Sequence, residues 1–325
     1  MTRDEALFAQ LPHTLREADF PSLGQLYRGK VRDSYSRADG TIAMITTDRL
    51  SAFDRVLTTV PFKGELLTRL TVFWFDKTRD VIANHIVDVP DPSVLIVKRL
   101  QPVAVEMVVR GHLTGSLWRD VQAGKGAKAY GLELDPALEK DQQFERPILT
   151  PSTKAAVGDH DEPISPAQLV ARGVCSQKEW DELADKTLAL YERGRQQALQ
   201  RGLILVDTKY EFGRDPQGKI VLMDEIHTPD SSRYWIAEGS EGRQARGEEQ
   251  QMLDKEFLRQ WLIRERGYQG EGPLPQITDE VRVQLAGRYA ELHERLTGEV
   301  VDWKVGDVRA RIEQALAAKG YLPRG

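Results

Sequence analysis

The sequence has little cysteine, no long apolar run and no excess of positive charge. Its single cysteine, Cys175, excludes an internal disulfide and a zinc site built from several thiolates. The formal net charge of -5 argues against a general nucleic-acid binder, which would carry surplus Lys and Arg on one face. No stretch approaches the ~18 apolar residues of a membrane span. The opening residues, M-T-R-D-E-A-L-F, lack the apolar core of a signal peptide. We therefore expect a cytoplasmic protein whose phosphate sites, if present, are local.

What the sequence does contain is typical of a globular enzyme. The chain has 325 residues, of which 40% are hydrophobic and 29% are charged. That composition provides ample apolar material for a core, and the length predicts one large or two medium domains.

One stretch carries an unusual number of charges on a short sheet segment. Two apolar runs, Leu203–Val206 and Ile220–Met223, flank the turn sequence D-P-Q-G and predict a β-hairpin. The residues that follow each run are strongly polar. We therefore expect functional residues on this hairpin.

The charges of the hairpin fall on one side of the sheet. Asp207, Lys209 and Glu211 alternate along the first strand and so share a face, while Asp224 and Glu225 end the second strand. Two interpretations stay open on spacing alone. Lys209 can screen the acids on a solvated face, as is common on antiparallel strands. Alternatively, the carboxylates can hold Mg²⁺, which takes one or two carboxylates together with substrate phosphates.

A second hairpin is predicted near the N-terminus, and it is basic. Residues 25–35 and 41–48 alternate in polarity around a break at 36–40. Gly29 stands between basic residues, with Lys30 after it and Arg32 two positions further. A backbone that can approach a ligand closely beside several cations suits a polyphosphate. An edge strand protected by cations is the alternative. The sequence matches neither the Walker loop nor the kinase glycine-rich loop.

A third candidate is an anion site at the start of a helix. The predicted strand Val103–Arg110 runs into Thr114-Gly115-Ser116, which opens a helix toward Val121. Backbone N–H groups at a helix N-terminus attract anions, and Arg110 can form a fork of hydrogen bonds onto the same phosphate. A simple N-cap beside a surface arginine remains the alternative.

The remaining segments are predicted mostly as helices and loops. Residues 122–175 are polar and include T-P-S-T-K and G-D-H-D-E-P, where His160 is expected as a solvated loop histidine. The capping box S-Q-K-E starts a helix at Ser176 that stops at Gly202. Further helical patterns cover residues 66–86, 253–264, 279–296 and 305–319.

Seven blocks, in order from residue 27 to residue 235, identify a resemblance to a known family. They are Y-R-G-K-V-R-D-S-Y, T-T-D-R-L-S-A-F-D, V-E-M-V-V-R-G-H-L-T-G-S, T-P-S-T-K, G-D-H-D-E-P-I-S, L-I-L-V-D-T-K-Y-E-F-G and M-D-E-I-H-T-P-D-S-S-R-Y-W. The chain resembles the phosphoribosylaminoimidazole-succinocarboxamide synthase family, also called SAICAR synthetase. The C-terminal helices resemble the longer form of the family.

The resemblance implies an α+β fold with two lobes, in an outline similar to protein kinases and ATP-grasp enzymes, and ATP in the interlobe cleft. The small strand-rich lobe is expected over residues 1–100 and the larger lobe over 101–325. The implied reaction belongs to purine biosynthesis. It joins the carboxylate of carboxyaminoimidazole ribonucleotide (CAIR) to the amine of L-aspartate, with ATP and Mg²⁺, through an acyl phosphate. The implied partners are therefore small molecules, with neither nucleic acid nor membrane.

The resemblance also assigns residues by their place in the motifs. ATP is assigned to Gly29, Lys30, Arg32, Lys98, Arg99, Leu100, Glu211 and Asp224. Two of these, Glu211 and Asp224, are the expected Mg²⁺ ligands. The substrates are assigned to Arg110, Ser116, Thr153, Lys154, Asp207, Lys209, Asp230, Ser231 and Arg233. Asp207 and Lys209 are the expected catalytic residues, and His160 and Asp161 are expected to close over the substrates with Thr153 and Lys154.

The chain departs from the family pattern at one place, and two other functions are alternatives to this assignment. His227 stands where the family pattern suggests a more apolar residue, and Thr228 stands where serine is common. We expect His227 to be a packing variant and not a proton carrier. The alternatives are a kinase-like small-molecule phosphotransferase, which the lack of an H-R-D loop disfavours, and a nucleotide-binding protein without turnover.

Overall fold

The computed structural model describes residues 1–53, 55–154 and 162–322. Helices and strands are mixed along the chain, so the expected α+β class is confirmed. The helices are α1 (Arg3–Gln10), α2 (Lys63–Lys77), α3 (Gly115–Gln122), α4 (Pro166–Ala171), α5 (Gln177–Gln200), α6 (Ser240–Ala245), α7 (Glu256–Arg266), α8 (Asp279–Thr297) and α9 (Val308–Ala318). The strands are β1 (Gln25–Arg28), β2 (Arg32–Ser36), β3 (Thr41–Thr46), β4 (Arg49–Ala52), β5 (Arg55–Thr59), β6 (Ile86–Asp91), β7 (Val94–Lys98), β8 (Gln101–His112), β9 (Gln143–Leu149), β10 (Ser152–Thr153), β11 (Leu203–Arg214), β12 (Ile220–Met223) and β13 (Ser232–Ile236).

The chain divides into two compact units. The first unit contains Met1–Phe73, His85–Arg99 and Leu253–Gly325, and the second contains Trp74–Asn84 and Leu100–Met252. The second segment of the first unit ends at Arg99 and the second unit resumes at Leu100, one residue before the boundary that the sequence predicts between residues 100 and 101. The last 73 residues belong to the first unit, whereas the sequence analysis had grouped them with the second.

The first unit contains an antiparallel sheet in the order β1-β2-β3-β7-β6. The predicted basic hairpin is present, but its first arm is broken. Residues 29–31 form a turn between β1 and β2, closed by a hydrogen bond from Gly29 N to Arg32 O at 2.8 Å. Gly29 therefore lies in a turn at the sheet edge and not within a strand.

Apolar packing explains why the C-terminal helices join the first unit. Leu258 of α7 and Tyr289 of α8 are buried in one cluster with Leu50, Phe62 and Leu66. A second cluster joins α9 to the sheet, through residues that include Ile312, Leu316, Tyr35 and Ile45. These helices bury an apolar face that no local sequence signal assigns to a partner.

The second unit is built around the long strand β11. Strands β8, β12 and β13 all pair with β11 in antiparallel register, β10 and β9 pair with β8, and the predicted hairpin of β11 and β12 is confirmed. Helix α5 begins at the predicted capping box, in which Ser176 and Glu179 bond reciprocally. Across residues 1–53, 55–154 and 162–322, none of the helices has the length and apolar character that a membrane span requires.

Candidate active site

The charged face of β11 gathers acids and lysines from four elements. Lys209 Nζ contacts a carboxylate oxygen of Glu106 on β8 and Oε1 of Glu211 at 3.0 Å. Lys154 Nζ, just after β10, contacts the other oxygen of Glu211. Asp224 directly follows Met223, which pairs with Glu211 across β11 and β12. One cluster of ionic contacts, the lysine–carboxylate cluster, therefore contains Glu106, Lys154, Lys209 and Glu211, with Asp224 beside it. Asp207, which the sequence predicts on the same face, contacts two arginines instead.

The charges in this cluster stabilise one another. Burial alone would raise the pKa of Glu211, but Lys209 and Lys154 outweigh it and lower that pKa to about 2. Burial likewise disfavours the Lys209 ammonium, yet Glu211, Glu106 and Asp224 raise its pKa above the ordinary value. The pKa of Lys154 is raised by Glu211 and Asp224 against the opposing effect of burial. Both lysines are therefore cations and Glu211 is an anion at neutral pH.

The pair Glu211 and Asp224 fits a magnesium ion only together with phosphate oxygens. Within the described residues, no group of three or more His, Cys, Asp or Glu side chains is arranged to hold a metal. Magnesium in nucleotide sites is commonly bound by one or two carboxylates plus substrate phosphates, so two carboxylates suffice. An ionised Glu211 is the donor chemistry that such an ion requires.

A second site lies at the other end of the paired strands and is rich in arginine. Arg110, only 6% exposed, pairs with Asp207 across β8 and β11. Its Nε donates to Thr150 Oγ1 at 2.8 Å, one terminal nitrogen donates to Asp207 Oδ2 at 3.3 Å, and the other donates to Ser116 Oγ at 3.2 Å. Arg233 donates to the same Oδ2 of Asp207. Two guanidinium groups on one carboxylate leave a net positive charge for an anion.

Glycine is required where α3 enters this arginine site. Gly115 has φ of +61°, which L side chains rarely adopt, and a Cβ there would lie 2.5 Å from a terminal nitrogen of Arg233. Ser116 follows it in the first turn of α3, so backbone N–H groups and a hydroxyl accompany the two arginines. Burial lowers the pKa of the Arg110 guanidinium, while Asp207 and the nearby Tyr130 raise it. The predicted anion site is therefore assembled, with Arg110, Ser116 and Arg233 together.

The loop after β12 is fixed against β11. Lys209 N donates to Ser231 O at 3.0 Å, and Thr228 N donates to Ser231 Oγ at 3.2 Å. Asp230 N donates to Thr228 Oγ1 at 3.3 Å. The expected residues Asp230 and Ser231 are thus joined to the strand that carries Lys209.

In the first unit, the basic turn at residues 29–31 has a rigid support. The buried side chain of Arg49 donates to Gly29 O at 2.9 Å, to Lys30 O at 3.1 Å and to Asp33 Oδ1 at 2.7 Å. The side chain of Lys30 is exposed and that of Arg32 is half-buried. The backbone of the turn is held from behind while its cations remain accessible.

The other predicted positions are more scattered. Lys98 ends β7, and Arg99 and Leu100 connect it to β8, with Lys98 and Arg99 exposed. Thr153 Oγ1 accepts a hydrogen bond from Glu162 N at 3.2 Å. His160 and Asp161 lie outside the described residues.

Sequence reasoning missed several residues that shape these sites. Glu106, Thr150 and Arg49 all stand inside the quoted motifs, but their roles depend on partners far along the chain. Tyr130 belongs to no quoted motif. Only the register between β8 and β11 identifies Glu106 as the neighbour of Glu211.

Comparisons with known proteins agree with the resemblance carried by the motifs. A family model described as SAICAR synthetase matches residues 25–274. A phosphoribosylaminoimidazole-succinocarboxamide synthase of Legionella pneumophila (strain Lens) is 47% identical over 309 residues, which cover 93% of this chain and 97% of the relative. Among solved structures, a SAICAR synthase from Saccharomyces cerevisiae complexed with SAICAR has a TM-score of 0.76 and 32% identity, covering 89% of this chain and 100% of that chain. A SAICAR synthetase (Type-2) in complex with ADP has a TM-score of 0.66 and 26% identity, covering 86% and 100%.

Proposed function

The chain belongs to the SAICAR synthetase family and is a ligase of purine biosynthesis, and we propose that it joins the carboxylate of CAIR to the amine of L-aspartate. ATP supplies the energy, and the products are SAICAR, ADP and phosphate. The relatives solved with SAICAR and with ADP support these ligands. The cytoplasm is the compartment we propose for this reaction.

The observation that carries the proposal is the arrangement of two charged sites along the paired strands β8 and β11. The arginine site is at the pair Arg110 and Asp207, and the lysine–carboxylate cluster is at the pair Glu106 and Glu211. The two pairs lie four positions apart on each strand, a distance of roughly 13 Å at the rise of an antiparallel strand. An extended ribonucleotide fits this span with its 5′-phosphate on the arginines and its imidazole carboxylate beside Lys209.

The residues suit an acyl phosphate route. A carboxylate oxygen of CAIR attacks the γ-phosphorus of ATP, the bond to the β-phosphate oxygen breaks, and ADP leaves. The aspartate amine then attacks the acyl carbon, the C–N bond forms, phosphate leaves with the C–O bond electrons, and the amine loses a proton. Such chemistry depends mainly on positioning and on neutralising negative charge. Lys209 is a cation at the reacting end and offsets charge as the acyl phosphate forms.

Asp207 has a positioning part in the same scheme. Its carboxylate accepts hydrogen bonds from both Arg110 and Arg233 and so holds the two guanidinium groups toward one anion. Because Asp207 and Lys209 lie two residues apart on one face of β11, the strand links the grip on the phosphate to the position of the reacting carboxylate.

Glu211 and Asp224 are the residues that we propose hold Mg²⁺ together with phosphate oxygens. When bound, the ion neutralises negative charge on the transferred phosphoryl group. Gly29, Lys30 and Arg32 are proposed to contact the ATP phosphates, and the backbone of residues 98–100 is proposed to receive the adenine. Arg49 keeps the turn at 29–31 in place for that contact.

Thr153, Lys154, Asp230 and Ser231 are proposed to complete the substrate sites. Lys154 is the strongest candidate to approach the anionic substrates, because it is a cation beside Glu211. No nucleic acid or membrane partner enters the proposal.

The test is an assay of ADP release with CAIR, ATP, Mg²⁺ and L-aspartate, from which one component at a time is omitted. We expect release only when all are present, with SAICAR formed in equal amount. ADP release that does not depend on aspartate, without SAICAR, would overturn the proposal in favour of a kinase-like phosphotransferase.

A further inference from the structure

The side chain of His227 is completely buried directly behind the reactive face of β11. The hydroxyl of Tyr210 is in hydrogen-bond contact with His227 Nε2, and the hydroxyl of Tyr234 donates to His227 O at 2.9 Å. Trp74 packs against the imidazole edge to face, with ring centroids 4.6 Å apart. Contacts therefore hold both the ring and the backbone of His227.

Helix α5 is shaped to admit this imidazole. Gly194 lies inside α5, seven residues from its C-terminal end if both are counted, where glycine costs about 1 kcal/mol relative to alanine. A Cβ at this position would lie 2.4 Å from His227 Cε1 and 2.8 Å from each ring nitrogen. The glycine therefore makes room for the His227 ring.

The Tyr210 hydroxyl and His227 Nε2 form one contact behind β11. A neutral imidazole can accept the phenol proton at Nε2, whereas a protonated imidazole has no acceptor nitrogen to offer. Burial favours the neutral form, because it lowers the pKa of His227 to about 3. Within the described residues, Nδ1 has no hydrogen-bond partner.

The contact between Tyr210 and His227 connects the strand that carries Lys209 and Glu211 to the turn that carries Asp224. Tyr210 stands between Lys209 and Glu211 on β11, and His227 stands three residues after Asp224. Asp224 and His227 both have left-handed backbones, with φ of 65° and 53°. Non-glycine residues adopt this conformation only where surrounding contacts impose it. The contact between Tyr210 and His227 is one such constraint on the turn.

We propose that His227 is a positioning residue, whose neutral ring accepts a hydrogen bond from Tyr210 and fixes the turn that carries Asp224 relative to the strand that carries Glu211. The two carboxylates then keep one spacing, and the turn keeps Asp230 and Ser231 beside Lys209. Gly194 is the matching small residue on α5. This assignment deepens the proposed function, because it concerns the residues proposed to hold Mg²⁺.

The test compares Tyr210→Phe, His227→Met and His227→Gln with the wild-type enzyme. Tyr210→Phe removes only the hydroxyl and keeps the ring, so it provides the test even if His227→Met does not fold. We expect Tyr210→Phe and His227→Met to raise the Mg²⁺ concentration for half-maximal rate about tenfold and to lower kcat, the effect of one lost positioning hydrogen bond. His227→Gln, whose amide oxygen can accept from Tyr210, restores most of both values.

The matched control is His293→Met, which alters another buried histidine in α8. We expect it to leave the Mg²⁺ requirement unchanged. Folded variants of Tyr210 and His227 with a wild-type Mg²⁺ requirement and kcat would overturn the inference, whereas a wild-type enzyme that forms no SAICAR would overturn the proposed function. Independently of turnover, ¹⁵N shifts of the imidazoles, of which the chain has only six, should show His227 neutral with its proton on Nδ1. A proton on Nε2 would contradict the hydrogen-bond direction on which the inference depends.

Discussion

Replacing Arg110 is the sharpest test of the proposed phosphate site. The guanidinium is buried, and hydrogen bonds to Thr150, Asp207 and Ser116 hold it in one orientation. Arg110→Met removes the charge and the fork of donors, and Arg110→Lys keeps the charge but loses the fork. The two variants separate charge from geometry.

The magnitude follows from the bonds that the phosphate would lose. A hydrogen bond to a charged group contributes about 1.5–3 kcal/mol, and Arg110 can offer two to a phosphate. At the lower value, Arg110→Met loses about 3 kcal/mol of binding, which corresponds to a roughly 100-fold lower kcat/KM for CAIR. Arg110→Lys retains one bond and should lose about tenfold. Asp207 keeps Arg233 in both variants, so we expect the fold to survive.

The assay is steady-state kinetics in which CAIR and ATP are varied separately. The expected loss is confined to CAIR, with the KM for ATP within about threefold of the wild-type value, because the proposed ATP contacts do not involve Arg110. Arg119→Met is the matched control, since Arg119 is an exposed arginine on the same α3. If Arg110→Met retains a wild-type kcat/KM for CAIR, the phosphate of the substrate lies elsewhere and the assignment is wrong.

Three further predictions test other parts of the structure. Asp224→Asn should abolish turnover while circular dichroism and the melting temperature stay close to the wild-type values, because it removes a charge and no packing; near-normal Mg²⁺-dependent activity would refute the metal assignment. Gly115→Ala should raise the KM for CAIR by about tenfold or more through displacement of Arg233, with the KM for ATP unchanged; the physical reasons are the left-handed backbone and the close approach of the guanidinium. Burial raises the pKa of Asp48 to about 6. As the pH falls, the folded state therefore takes up a proton at Asp48 at a higher pH than the unfolded chain does. The free energy of unfolding should therefore rise by about 1 kcal/mol from this group between pH 7 and pH 5. Denaturant titrations of the wild-type protein and Asp48→Asn at both pH values measure the difference, and an equal pH dependence in the two proteins would contradict it.

Local patterns predicted the elements whose signals are local. The hairpin of β11 and β12 follows from two apolar runs and a turn sequence, and α5 follows from its capping box. The sequence does not predict the break at Gly29, because the alternation of polarity continues through residues 25–35 and the turn is closed only by the hydrogen bond from Gly29 N to Arg32 O.

The sequence predicted those parts of each site whose residues lie together in one motif. Lys209 and Glu211 share a face of one strand by periodicity, which the sequence provides directly. Glu106 and Thr150 reach the same sites through strand register and through contacts across 40 residues or more. Such residues come together only through tertiary pairing, which the spacing of residues along the sequence does not reveal.

The assembly of the first unit from three separated segments has a consequence for synthesis on the ribosome. Its sheet is complete once β7 has emerged, yet the C-terminal helix that packs on its apolar surface, α9, begins only at Val308. Translation adds ~5–20 residues per second, so roughly 10–40 s pass before α9 is made. The second unit consists largely of one uninterrupted stretch and can fold during that interval. The nascent sheet is therefore the part of this protein that most needs a chaperone, and deletion of the last helices would harm the earliest strands.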